Sequence, residues 1–161
     1  MNIMRKKSFI ITASCVLLLL AAGCKKEPET FMSDVSCPTW AVSADYDYTQ
    51  SMTAVVKVDL AAQYPDKAAD FVIDSNDVIA AFIDNDCVGI GAWKEESGAY
   101  WLYIAGPSSL QEGEKDGLVT LRYYSAHYKN LFEAIDAFPY INDTQQGTVA
   151  EPFIPAFVVV Q

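Results

Sequence analysis

Two short acidic stretches carry the side chains with the most chemical potential in this chain. "DSND" places Asp74 and Asp77 three positions apart, and "DNDC" places Asp84 and Asp86 two apart. Hard carboxylate oxygens so spaced on loops suit a calcium ion, which takes about six to eight oxygen ligands. Neither stretch has the EF-hand loop spacing with its Gly and bidentate Glu, so plain turn chemistry is the competing use of the same residues. Paired carboxylates are also what a glycosidase requires. A nucleophilic triad needs a base oriented by a third group, and the one histidine, His127, sits in the turn-like "SAHYK". A solvent-facing turn residue is expected there. No catalytic residue is assigned, and the chain is read as a non-enzyme.

Aromatic residues offer a different chemistry. In "YWLYI", Tyr100, Leu102 and Ile104 share one face of an extended strand, and Trp101 and Tyr103 share the other. With Leu102 toward the core, Trp101 and Tyr103 form an outward platform. Such a platform stacks on the apolar C–H faces of sugar rings, so the pair is a candidate glycan-binding site.

The four cysteines differ in expected fate. Cys15 lies within the apolar N-terminus and Cys24 ends it. Cys37 and Cys87 remain, and in an exported protein they are a candidate disulfide. The alternative is two buried free thiols. One histidine and no paired-cysteine spacing leave no zinc site.

The N-terminus sets the compartment. Arg5, Lys6 and Lys7 precede an apolar run of 14 residues, Phe9 to Ala22. That run is short of the roughly 18 residues that span a bilayer core. It reads as a secretory signal ending in the small residues Ala21, Ala22 and Gly23. With Cys24 next, the stretch resembles a bacterial lipobox, with Ala21 where Leu is commonest. The resemblance implies lipidation of Cys24 and cleavage before it. Acyl chains contribute about 0.8 kcal/mol per buried methylene, and two or more make a stable anchor. Lys25, where an inner-membrane retention signal has Asp, points to the outer membrane, on either its periplasmic or its cell-surface side. The expected organisation is a signal peptide over residues 1–23, a polar tether over 24–36 and one domain over 37–161.

Removing residues 1–23 leaves 138 residues with 8 Lys and Arg against 21 Asp and Glu, a net charge of −13. That field repels phosphate backbones, so a nucleic-acid partner is excluded. It also repels anionic headgroups, which leaves the acyl chains to hold the membrane.

The elements that must position these groups are short strands. "SMTAVVKVDL" alternates, with Met52, Ala54, Val56, Val58 and Leu60 on one side. "AAQYPDKAADF" breaks the pattern and has room for one helical turn. "DVIAAFI" is apolar on both faces, as a central strand is. "CVGIGAW" puts Gly89 and Gly91 on one face, which suits close packing or a bulge. "KEESGA" is a turn, with Gly98 free for positive φ. "YWLYIAG", "LVTLRYYS" and "NLFEA" are further strands. "EPFIPAFVVV" holds Pro152 and Pro155, so it is an edge strand or pairs only beyond Pro155. About seven or eight short strands without a long amphipathic helix predict an all-β, antiparallel β-sandwich.

Taken together, "SMTAVVKVDL", "DVIAAFIDNDCVGIGAW", "VTLRYYSAHYKNLFEA" and the Pro-flanked "EPF" and "PAF" resemble an uncharacterised domain of secreted proteins and surface lipoproteins of Bacteroidota. The resemblance covers nearly all of Thr39 to Phe157, with Tyr140 a mild departure in an aromatic slot. It implies an immunoglobulin-like sandwich on secreted, often cell-surface proteins, and it implies no activity and no cofactor. The expected function is a lipid-anchored, non-catalytic binding or adhesion module for a glycan or a surface protein. Two other expectations are kept: a structural subunit of a surface assembly that donates its C-terminal strand, and, with less support, a secreted hydrolase.

Overall fold

The computed structural model describes residues 31–107 and 115–160. Residues 1–23, read above as a signal sequence, and Cys24 lie outside the described residues. β1 (Asp47–Val56) buries Met52, Ala54 and Val56 as its alternation predicts. α1 (Leu60–Gln63) is the single helical turn, started by Asp59, whose side chain accepts from the Ala62 N–H at 3.1 Å. A meander follows: β2 (Val78–Ile83), β3 (Asp86–Lys94) and β4 (Ala99–Gly106). β5 (Lys115–Ser125), β6 (Asn130–Ala134), β7 (Phe138–Ile141), β8 (Gln145–Gln146) and β9 (Phe157–Val159) complete the chain. Gly98, in the β3–β4 turn, has the expected positive φ, +58°.

The strand order is β8-β1-β4-β3-β2-β5-β6-β9, with β7 beside β5. Every one of these pairings is antiparallel except that of β8, which joins β1 in parallel. The fold is therefore β-built, but one mixed sheet replaces the expected wholly antiparallel set. The sheet curls because β3 serves both halves. Its first part pairs with β2 and its last part, from Gly91, with β4. Shortly before that hand-over β3 has a bulge at Val88, where Ala81 faces Gly89 and Phe82 faces Cys87. Glycine is required there: a Cβ on Gly89 would lie 2.4 Å from the Tyr103 carbonyl oxygen. Residues 138–146 draw the ends of the curl together. β7 pairs with β5, and then Asp143 donates to the Ser51 carbonyl at 2.9 Å and Thr53 to that of Thr144 at 3.0 Å.

The interior of the curl is one continuous core. Tyr100, Tyr123, Tyr140, Phe132 and Phe157 are its largest fully buried side chains. Phe31 also belongs to it, packed edge-on against Tyr64, Tyr128 and Phe132, with its carbonyl held by the Asn130 side chain at 2.8 Å. Phe31 thus packs into the body ahead of residue 37. A single buried aromatic in a polar stretch has no periodicity to announce it, and residues 32–36 after it are exposed.

The Cys37–Cys87 pairing is also corrected: both thiols are free, Cys37 exposed and Cys87 buried. Trp40, not Cys37, packs against Ala80, Phe82 and Cys87. The two sulfurs rest instead near their own local carbonyls, Cys37 by Pro38 and Cys87 by Gly89, each at 3.8 Å.

Candidate binding face

β4 runs between β1 and β3, so its outward side chains stand in the middle of that half of the sheet. Tyr100, Leu102 and Ile104 are buried, while Trp101 is 39% and Tyr103 62% exposed. The sequence places both outward, and both are there. Their cross-strand neighbours extend the face. Tyr103 is opposite Thr53, and Thr53 in turn is opposite Gln145 on β8. Trp101 is opposite Val55 on one side and Ala92 on the other. Ile90, two residues before Ala92 and so on the same outward side, is also exposed.

Two grooves open beside the aromatic pair. The first, about 430 Å³, is lined by Trp101, by Lys94, Glu96 and Ser97 of the β3–β4 turn, and by Val149. The Trp101 indole is held in place: its Nε1–H donates to Ser97 Oγ at 3.3 Å, and Ser97 Oγ donates to the Lys94 carbonyl at 3.2 Å. Val149 follows β8 in the segment that binds back to β1 through the Phe153 N–H and the Val55 carbonyl, at 2.9 Å. The second groove, about 310 Å³, lies on the Tyr103 side and is polar, with Ser51, Thr53, Asp143, Thr144 and Gln145 in its wall. Thr53 and Gln145 meet across it, Oγ1 to Oε1, at 3.5 Å.

The acidic residues are placed elsewhere and hold turns. Asp77 is buried at the entry to β2. Its Oδ2 accepts from the Tyr123 hydroxyl at 2.5 Å and the Asp74 N–H at 2.8 Å, and its Oδ1 accepts from the Ala126 N–H at 2.7 Å. Burial pushes the Asp77 carboxyl above its ordinary value despite these donors. Burial and the Asp77 charge together push the Tyr123 phenol up. Asp74 Oδ1 accepts from Asn76, N–H and side-chain amide. Asp84 takes the left-handed turn position between β2 and β3, with φ +53°, and Asp86 opens β3. The calcium expectation finds no support in this arrangement: the Asp77 oxygens serve backbone and phenol donors. Among the described residues, no group of three or more His, Cys, Asp and Glu side chains converges on a metal position.

His127 lies in the β5–β6 turn, exposed as expected. Its Nε2 is 3.3 Å from Asp70 Oδ2, and the Tyr128 hydroxyl donates to Asp70 Oδ1 at 3.0 Å. The Tyr128 bond first, and His127 second, hold the Asp70 carboxyl below the usual range. Burial and the facing carboxylate push Tyr128 up to about 12. The group docks the loop after α1 onto the turn.

The C-terminal strand is committed within its own sheet. β9 pairs with β6, as the position of Pro155 predicts. Its free edge is capped at Phe157, whose N–H is taken by Gln63 Oε1 at 2.9 Å and whose carbonyl is taken by the Tyr64 hydroxyl at 2.5 Å. No helix among the described residues is long and apolar enough to cross a membrane.

Sequence reasoning found the two aromatics and missed the rest of the face. Lys94 and Ser97 come with the β3–β4 turn next to Trp101, whereas Val149 and Gln145 reach the face from segments far along the chain. No local pattern marks them. Comparison with family models, with curated proteins and with solved structures gives no match for this chain.

Proposed function

We propose that this protein is a non-catalytic binding module of the cell envelope that captures a glycan on the outer face of β1, β3 and β4. Trp101 and Tyr103 provide the stacking surface. The observation that carries the reading is their exposure beside two open grooves, on a strand whose alternate residues are fully buried. The N-terminal pattern supports lipidation at Cys24 and display on the outer membrane, and the acidic net charge suits a soluble body held there by acyl chains alone. The curled body is proposed to belong with the immunoglobulin-like sandwiches of Bacteroidota surface lipoproteins. The β1-β4-β3-β2 order supports this, because a three-strand meander whose end lies beside a strand reached by a long connection is a Greek key.

A glycan array probed with the purified protein, with and without calcium, tests the reading. Binding to a defined set of sugars is expected in both conditions and is expected to fall in Trp101→Ala and Tyr103→Ala. Hits that survive both substitutions would move the site elsewhere. Binding only when calcium is present would restore the metal reading.

A further inference from the structure

Resting on that reading, we infer that the face takes an uncharged, linear oligosaccharide along its length, with consecutive sugar units on Trp101 and Tyr103 and not a single terminal sugar in one pocket. The geometry is that of a track. Residues two apart on one strand project the same way about 7 Å apart, a spacing on the scale of successive pyranoses in an extended chain. The first groove is lined by Trp101 itself, and the second lies across β1, where Thr53 is the cross-strand neighbour of Tyr103. Both are open and shallow, so neither encloses a monosaccharide. A chain lying over both aromatics keeps its hydroxyl edges against Lys94, Glu96 and Ser97 at one end and Thr53, Asp143 and Gln145 at the other.

The charges select against acidic sugars. Lys94 and Glu96 line the first groove, one charge of each sign, and Asp143 puts a carboxylate in the wall of the second. The whole chain carries a net charge of −10. A uronate or sulfated chain would bring like charge to the Asp143 side and into the field of an acidic chain. Neutral hydroxyls, by contrast, donate to carboxylates and accept from the ammonium. A protein partner fits less well. It would need about 800 Å² of face per side, and the apolar ground here is Ile90, Trp101, Tyr103 and Val149, broken by polar grooves.

Titration calorimetry with the full-length protein tests this. The probes are cello-, manno-, xylo-, laminari- and malto-oligosaccharides, each from monosaccharide to hexamer, with oligogalacturonates as the anionic arm. In at least one neutral series, affinity is expected to rise from the monosaccharide over the next few units and then level off. Trp101→Ala and Tyr103→Ala should each weaken the tetramer roughly tenfold and flatten that rise. Their circular dichroism spectra should match the unsubstituted protein, which separates lost binding from lost folding. A monosaccharide that binds as tightly as its hexamer would overturn the track. So would oligogalacturonates that outbind every neutral series. If no sugar of either kind binds the folded protein, the glycan reading itself fails, a result distinct from the other two.

Discussion

The two halves of the curled sheet treat their outer faces in opposite ways. Behind β2 and β5, the apolar ground of Ala80, Phe82 and Cys87 is covered by the chain's own segment 33–43. Ser33, Val35 and Ser43 bind the carbonyls of Tyr128, Lys129 and Cys87 at 2.9, 3.0 and 2.8 Å. Trp40 meets Phe82 edge-on at 5.6 Å, and the Arg122 guanidinium lies 4.3 Å from the same ring. On the β1–β4–β3 half, Ile90, Trp101 and Tyr103 stay 41%, 39% and 62% exposed. Burying such side chains is worth about 25 cal/mol per Å², and these three forgo part of it. Large apolar side chains left partly exposed on one outer face, while the other face is covered, make the first the candidate interaction surface.

The largest expected effect falls in the covered half. Asp77→Ala removes three acceptor bonds, one of them from the buried Tyr123 hydroxyl, so it should cost about 3 kcal/mol in urea unfolding. Asp77→Asn gives the sharper test, because it removes the titration. Burial raises the folded-state pKa of Asp77 above its ordinary 3.8, so the folded protein holds this proton more tightly than the unfolded chain. The stability of the unsubstituted protein should therefore rise, relative to Asp77→Asn, as pH falls from above that raised value toward 3.8, and level off below it. Asp47 and Asp70 have lowered values and act in the opposite sense, losing their contribution as pH falls below the ordinary range, but they are common to both proteins. A stability difference that stays flat over the acid range would mean that Asp77 is not shifted upward.

The same contrast explains what could be read from the chain. The inward pattern of β1 and β4 was legible because strand alternation is a local, period-two signal, and it gave Trp101 and Tyr103 their outward side. The continuous apolar run of β2 likewise marked a strand flanked on both sides. The curl was not legible. It depends on the bulge at Val88 and on Gly89 passing the Tyr103 carbonyl, contacts that unite distant segments. Nor was the role of Asp77: an acidic residue at a strand entry looks the same in sequence whether it faces water, a cation or a buried phenol. The cover over Phe82 hid inside a stretch read as tether and domain entry, because its contacts come one residue at a time.

Trp40→Ala probes that cover directly. It removes a half-buried ring stacked edge-on against Phe82 and should cost about 2 kcal/mol, less than a fully buried aromatic, because one side of Trp40 already meets water. It should also open Cys87. In the unsubstituted protein, alkylation followed by peptide mass analysis should label Cys37 quickly and Cys87 slowly, in line with their exposure. In Trp40→Ala the Cys87 peptide should label at a rate approaching that of Cys37. An unchanged Cys87 rate would mean that the segment is held by its backbone bonds and that Trp40 contributes little to the cover.

Trp101→Ala should have the smallest effect on folding, about 0.5 kcal/mol, the range of a surface substitution that breaks no buried network. The indole gives up one bond, to Ser97, whose hydroxyl keeps its own bond to the Lys94 carbonyl. No buried polar atom is left without water. A loss equal to that of Trp40→Ala would put Trp101 among the packed residues, and the two outer faces would then be alike. A loss near zero, together with lost sugar binding, would instead separate what this aromatic does for the fold from what it does for the ligand.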